Sequence, residues 1–553
     1  MTAVDRRIGI LFVAFLGLLA LALTRATELG TLKAAGLRHA ASTQQVQTVT
    51  IPAARGIITD RNGAELATSE AADDVVADPY LIRRGNPSAV ARKLAALLSQ
   101  PEPTVEAKVT RPHTGFVYLA HMLPATEAEA ISKLKLDGIT LIPEMRRVYP
   151  RGPLASQVIG IVHSDGQGAS GIELGYNGLL QGADGIRRIV DDAIGQPISI
   201  DQQRSTRTGK SLQLTLDAGL QDEVEQVLAG VGMQYQPKGA TAIVLDPRTG
   251  EILALANWTS TNPNDPGAAP ASAVEDQAVG FNYEPGSTFK AITVAGALQD
   301  GLVTPSTMFD IPPELHIYDR TIHDAETHGY ESLSVKQILK VSSNIGADEI
   351  GARLGAKRFD HWVRRFGFGS PTGVDLPGED QGIALHWWQY SGVSMANLPF
   401  GQGELVTPIQ MAAAYSAIAN GGVLRTPRIV KAIGGKPVPE PRGHRIISST
   451  VAAQLRDMLR GVLADGGTAS GAAIPGYDLA GKTGTASIAQ NGVYSDSEYV
   501  ASFIGFVPAS HPSLEVAVVV DQPHGSIFGG SVAAPAFQKI VGWAVPYLGI
   551  NPR

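Results

Sequence analysis

Glu284-Pro285-Gly286-Ser287-Thr288-Phe289-Lys290 is followed, 55 residues after Ser287, by Ser342-Ser343-Asn344, and after a further 140 by Lys482-Thr483-Gly484-Thr485. Together the three strings supply a serine nucleophile, two candidate proton carriers and a carboxylate clamp, which is what acyl transfer through a covalent serine ester requires. Each string alone is weak. Ser132 to Lys135 repeats Ser-x-x-Lys and Ser260 to Asn262 repeats Ser-x-Asn, on a charged helix and a Pro-rich loop where chance matches arise, whereas Lys-Thr-Gly occurs once, at Lys482. The order, the spacing and the local structure around each string carry the reading.

Around the first string, Phe289, Ile292, Ala295 and Leu298 recur at three-residue steps after Pro285-Gly286, with Gly301 just past the end, which predicts a buried helix with stop signals. Ser287 then sits on its first turn, where free N–H groups and the positive dipole end favour a developing oxyanion. Lys290, three residues on, shares that face. Burial of a lysine lowers its pKa, so that a neutral amine can take the serine proton. Ser334-x-x-Gln337 is a capping-box pattern that starts a short helix and leaves Ser342-Ser343-Asn344 at its far end. There Ser342 can relay a proton, and Asn344 can bond both Lys290 and a substrate amide. Leu479-Ala480-Gly481 precedes Lys482 as a strand of small residues beside which a ligand backbone can lie. Lys482 adds positive potential, Thr483 and Thr485 offer hydroxyls to a carboxylate, and Gly484 leaves room for substrate.

Apolar runs at Ala242 to Leu245 and Ile252 to Ala256 flank the turn Asp246-Pro247-Arg248-Thr249-Gly250, a β-hairpin signal. Further strands are expected at Ala501 to Val507 and Leu514 to Val520, with helical stretches such as Ala347 to Leu354 and Gln410 to Ile418 between. Strands at both ends with helices between predict an α+β domain, an antiparallel sheet covered by helices, over 216–553. Residues 26–215 read differently. A polar, helix-compatible stalk from Glu28 to about Gln47 leads to a hairpin signature at Arg55 to Gly63, then to Arg147-Val148-Tyr149-Pro150, to Gly171-Ile172-Glu173 and to a charged, Gly-rich stretch from Arg187 to Gly195. None of these sets a nucleophile beside a base, so this part reads as a scaffold of strands and turns.

In residues 1–25, Arg6 and Arg7 precede an uncharged apolar run from Ile8 to Leu23 that Arg25 closes. Two positive charges ahead of the run place the N-terminus in the cytoplasm and the rest outside. Sixteen helical residues reach roughly 24 Å, short of a ~30 Å hydrocarbon core. Both an uncleaved anchor and a signal peptide cut after Ala20-Leu21-Ala22 fit that length. The net charge of −7 leaves no nucleic-acid footprint, the absence of cysteine removes disulfides and thiolate metal sites, and the five-residue step from His323 to His328 does not suit a helical metal pair.

The three motifs in this order resemble those of the class B penicillin-binding proteins, monofunctional peptidoglycan transpeptidases. Gly373 to Glu379, Gly401-Gln402-Gly403 with Thr407-Pro408, Gly529-Gly530 with Ala533-Ala534-Pro535, and, earlier, Arg55-Gly56, Tyr149-Pro150 and Gly171-Ile172-Glu173 are similar as well, so the likeness covers nearly the whole chain. Arg147 to Glu173 and Gly401 to Pro408 look more like the division-type, FtsI-like subgroup than the elongation type. The resemblance implies a penicillin-binding, serine-transpeptidase fold on an N-terminal, strand-rich pedestal or dimerisation-like module, held by one transmembrane helix in the bacterial inner membrane. Ser287 would attack the penultimate D-alanine of a stem peptide, with Lys290 as base and the N–H groups of Ser287 and Thr485 as oxyanion hole. D-Alanine would leave, and an amine from a neighbouring stem would close the cross-link. β-Lactams would trap Ser287. No metal or organic cofactor is implied; a SEDS-family glycosyltransferase and other divisome proteins are the implied partners. Neither an appended PASTA-type module after Arg553 nor a preceding glycosyltransferase domain is expected. A β-lactamase or D,D-carboxypeptidase, and a non-catalytic divisome scaffold or β-lactam sensor, are the competing readings.

Overall fold

The computed structural model describes residues 3–35, 46–191, 197–265, 267, 273, 275–317, 320–490 and 493–552. Residues 36–45 of the expected stalk and 192–196 of the Gly-rich stretch lie outside the described residues. The N-terminal helix runs from Ala3 to Thr27, longer than the apolar run suggested. Thr24 and Thr27 return their hydroxyls to the carbonyls of Ala20 and Leu23 at 2.8 Å, so these polar residues prolong the helix without leaving a bare donor. Twenty-five residues reach roughly 37 Å, enough to cross a bilayer.

The described residues form two compact units that are discontinuous in sequence, a division that a linear boundary at 215 does not draw. The smaller comprises Met1–Ala54, Glu70–Arg146 and Gly182–Gly209, the larger Arg55–Ser69, Arg147–Gln181 and Lys210–Arg553. In the smaller unit, Val46–Ile51, Gly185–Asp191 and Pro197–Arg204 pair antiparallel. This region, read as strands and turns, also carries the helices Pro87–Leu97, Glu102–Val109 and Ala125–Lys133. Asn86 caps the first through its side chain, and Ala91, Leu94, Val105 and Ile131 bury a small core of their own.

In the larger unit, Ala218–Tyr235 (α1) leads into Gly239–Asp246 (β1) and Glu251–Trp258 (β2). Lys290–Gln299 (α2), Val335–Val341 (α3), Asn344–Arg365 (α4), Pro408–Ala419 (α5) and Ser449–Arg460 (α6) follow. Ala480–Gln490 (β3), Val493–Val507 (β4), Leu514–Asp521 (β5) and Gly529–Tyr547 (α7) close the unit. The five strands form an antiparallel sheet in the order β2-β1-β5-β4-β3, which leaves β3 on an edge. Period-two alternation splits each strand between two cores. Ala242, Val244, Val516 and Val518 face α1 and α7, whereas Ile243, Leu245, Ala517 and Val519 face the layer that contains α2 and α5. The expected antiparallel sheet covered by helices is the fold observed.

The segments Arg55–Ser69 and Arg147–Gln181 join this unit through non-local bonds. Ile58–Thr59 pairs in parallel with Leu212–Leu214 and antiparallel with the start of Glu65–Ala77. Arg55 Nε and Arg147 Nε donate to the two carboxylate oxygens of Glu173 at 2.5 and 2.7 Å, and Glu173 is fully buried. Three sequence stretches read separately as parts of a scaffold of strands and turns are therefore one ionic cluster.

Candidate active site

The turn that carries Ser287 is a tight 3₁₀ turn, Gly286–Phe289, before the α-helix begins at Lys290, a refinement of the expected single helix. It opens with Gly286 at φ +54°, in the left-handed region that glycine adopts without penalty. A side chain on Gly401 would meet Gly286 O at 2.2 Å, so the Gly401-Gln402-Gly403 segment can lie against the turn only as glycine. From below, the buried Tyr415 hydroxyl donates to Thr288 O at 2.7 Å. Glu284 ties the turn sideways, accepting from Gly403 N at 3.1 Å and Tyr494 Oη at 3.2 Å.

Ser334 and Gln337 form the capping box that starts α3, as their spacing predicts, and the helix ends on Ser342 in the left-handed conformation at φ +63°. A non-glycine residue there is held against a backbone preference. That geometry turns both Ser342 polar atoms toward Lys290, whose Nζ donates to Ser342 O at 2.6 Å and Asn344 Oδ1 at 2.7 Å and lies 3.3 Å from Ser342 Oγ. Lys482 Nζ reaches the same hydroxyl from the edge strand β3, at 2.8 Å. Both lysines are fully buried. Burial pulls Lys290 down to about 7, against the opposing pull of Asp324 and Asp348. Lys482 is held well below the usual lysine range by burial and then by Lys290.

Along β3, Thr483 Oγ1 lies 2.8 Å from Thr468 Oγ1, and Thr485 Oγ1 accepts from Gly529 N at 3.1 Å. Gly484 has a further reason beside the one its sequence suggested. A Cβ there would meet Ser502 Oγ at 2.2 Å and Pro285 O at 3.0 Å, so the glycine also admits the serine turn against the strand. The free edge of β3 leaves backbone groups that an extended peptide can pair with.

The structure thus brings Ser342, Asn344, Lys290 and Lys482 into one hydrogen-bonded set, and sets the strand carrying Thr483, Gly484 and Thr485 against the turn that carries Ser287. Two acids near this set carried no sequence signal. Asp324 Oδ1 accepts from the N–H groups of Asn344 and Ile345 at 2.5 and 3.0 Å, capping α4 from a loop twenty residues upstream. Asp348, one turn beyond Asn344, is buried with both carboxyl oxygens unpartnered, and burial raises it to about 9. Asp324→Ala should cost about 0.5–2 kcal/mol through loss of the cap and slow acylation by loosening Asn344. Thermal unfolding and penicillin-labelling rates of the variant test this, and an unchanged rate would separate the cap from the site.

Two fully buried lysines thus meet around the Ser342 hydroxyl, next to the turn that carries Ser287 and the free edge of the sheet. Residues 240–542 match the penicillin-binding protein transpeptidase domain, and residues 50–214 the penicillin-binding protein dimerisation domain. The chain is 34% identical over 551 residues to the Neisseria meningitidis protein named Probable peptidoglycan D,D-transpeptidase PenA, covering 99% of this chain and 93% of that one. It is 33% identical to Escherichia coli Peptidoglycan D,D-transpeptidase FtsI over 92% of this chain and 85% of FtsI. A solved structure of Mycobacterium tuberculosis penicillin-binding protein 3 complexed with ampicillin superposes with a TM-score of 0.72 at 30% identity, covering 91% of this chain and 97% of that one. The chain belongs to the class B penicillin-binding proteins and is a peptidoglycan D,D-transpeptidase.

Proposed function

We propose that this transpeptidase cross-links stem peptides in septal cell-wall synthesis through an acyl-enzyme on Ser287. The convergence of Lys290 and Lys482 on Ser342 Oγ carries the reading. Neutral Lys290 gives its N–H groups to Ser342 O and Asn344 Oδ1, which leaves the nitrogen lone pair for the Ser287 proton. Ser287 Oγ then bonds to the carbonyl carbon of the penultimate D-alanine, and the N–H groups of Ser287 and Thr485 receive the oxyanion. The proton passes from Lys290 by way of Ser342 to the departing D-alanine amine, and Lys482 tunes that hydroxyl. An acceptor amine repeats the sequence in reverse, losing its proton to the same relay as the ester breaks. Thr483 and Thr485 hold the terminal carboxylate, and the donor backbone lies along β3 beside Gly484. β-Lactams, as mimics of the donor terminus, acylate Ser287.

The septal assignment is supported by the likeness to FtsI. The Arg6-Arg7 pair at the start of the helix, ahead of its apolar run, supports an N-terminus in the cytoplasm and an extracytoplasmic enzyme anchored once in the inner membrane. With the anchor at 1–25, a pedestal at 26–215 and the enzymatic domain at 216–553, the latter two supported by the family matches over 50–214 and 240–542, a SEDS-family glycosyltransferase and other divisome proteins are the partners this arrangement suits.

The full chain in detergent, incubated with a fluorescent penicillin and followed by intact mass over hours, tests the reading. A long-lived adduct that disappears in Ser287→Ala is the expected result. Rapid loss of adduct with drug turnover would indicate a hydrolase, and no adduct a binding scaffold.

A further inference from the structure

A second, shallow and solvent-open site lies in the larger unit on the last turns of α4, past the kink at Gly355, and its lining includes none of the site residues above. The cavity holds about 600 Å³, within the range of small-molecule sites. Its walls combine Trp387 and Trp388 with Lys357, Arg364, His361 and His444. In a chain of net charge −7 this lining has a single acid, Asp360, and Arg364 pairs with it at 2.8 Å. Behind Asp360, fully buried Glu404 is raised to about 8 by burial and then by Asp360, which favours its neutral form at neutral pH.

The aromatic walls are ready for a ligand. Trp388 is 63% exposed and Trp387 41%, and the two rings meet edge to face at 5.9 Å. His386 stacks on Trp388 at 4.1 Å and fixes its plane, while Lys357 stands 6.0 Å over Trp387. Exposed indole planes pack against the C–H faces of pyranose rings, and the adjacent ammonium pairs with a carboxylate. The pairing of exposed indole faces with a neighbouring ammonium suits a discrete, carboxylate-bearing saccharide.

We infer that this pocket binds a carboxylate-bearing saccharide, the disaccharide-peptide unit of peptidoglycan, with its sugar rings on Trp387 and Trp388 and a peptide carboxylate on Lys357. The ligand class rests on the proposed transpeptidase reading; the site itself does not use Ser287. It would hold a glycan strand while the enzymatic cleft works on a stem peptide.

The test uses the full chain in detergent with Ser287 already acylated by benzylpenicillin. A soluble N-acetylglucosaminyl-N-acetylmuramyl pentapeptide is added and followed by saturation-transfer NMR and calorimetry. Binding should persist in the acylated protein, with transfer to sugar-ring protons, and should weaken at least tenfold in both Trp388→Ala and Lys357→Met. Both variants should label with fluorescent penicillin at the wild-type rate, which reports an intact fold and an intact enzymatic cleft. Loss of all binding on acylation, or wild-type affinity in both variants, would overturn the inference. Displacement by glycerol phosphate as effective as by the disaccharide would overturn the saccharide assignment in favour of a phosphate headgroup. Failure of penicillin labelling in the wild-type chain would count instead against the transpeptidase reading.

Discussion

Lys290→Met is expected to lower the acylation rate by about 10²–10⁴-fold, the usual contribution of a positioned general base. In the parent protein the rate should rise with pH through a midpoint near 7, because the amine must be neutral to accept the Ser287 proton and burial holds Lys290 at about 7. A lysine at its ordinary value would instead give a rate still rising beyond pH 9. The same residue leaves a mark on stability. Its folded pKa lies below the unfolded one, so between about pH 7 and the ordinary lysine range the unfolded state binds the extra proton. Unfolding free energy therefore rises with pH across that window. Below pH 7 the penalty for burying the amine is present in full, and above the lysine range it is gone. Lys290→Met should lose this share of the rise and keep only the part that buried Lys482, also depressed, contributes. Stopped-flow acylation from pH 5 to 10, with denaturant melts of both proteins across the same range, checks both parts. A labelling rate in the variant within threefold of wild type would remove Lys290 from the role of base.

The second large effect lies away from the chemistry. Glu173→Ala should cost about 3–5 kcal/mol, because it strands two buried guanidinium groups that share one carboxylate. Arg55 would keep its bonds to the Glu173 carbonyl at 2.7 Å and to Asn177 Oδ1 at 2.7 Å, so its charge would be solvated only in part. Arg147, with Nη2 already unpartnered, would lose more. Thermal melts of the full chain should show a drop of several degrees. Penicillin labelling should stay near normal in the cold and fail at lower temperature than in wild type. A loss under 1 kcal/mol would mean that water or rearrangement relieves the buried charges. Glu173→Gln, which keeps the shape and removes the charge, should fall between the two.

What the sequence determined by itself is local. Ser287, Lys290, Ser342, Asn344 and Lys482 were legible because their chemistry sits in short strings flanked by helix and strand punctuation, such as the Ser334–Gln337 capping box and Gly301 at φ +69° past the first helix. The near-continuous apolar runs of β1, β2, β4 and β5 made the sheet legible for the same reason. Tertiary structure decided everything that depends on atoms far apart in the chain. Lys482 meets Ser342 across 140 residues, and burial in the folded core depresses both lysines. Gly484 is explained by Pro285 and Ser502, Asp324 by the helix end it caps, and Glu173 by two arginines more than ninety residues apart in sequence. Desolvation, close approach and charge pairing are properties of the folded neighbourhood, and a string of residues does not record its neighbours.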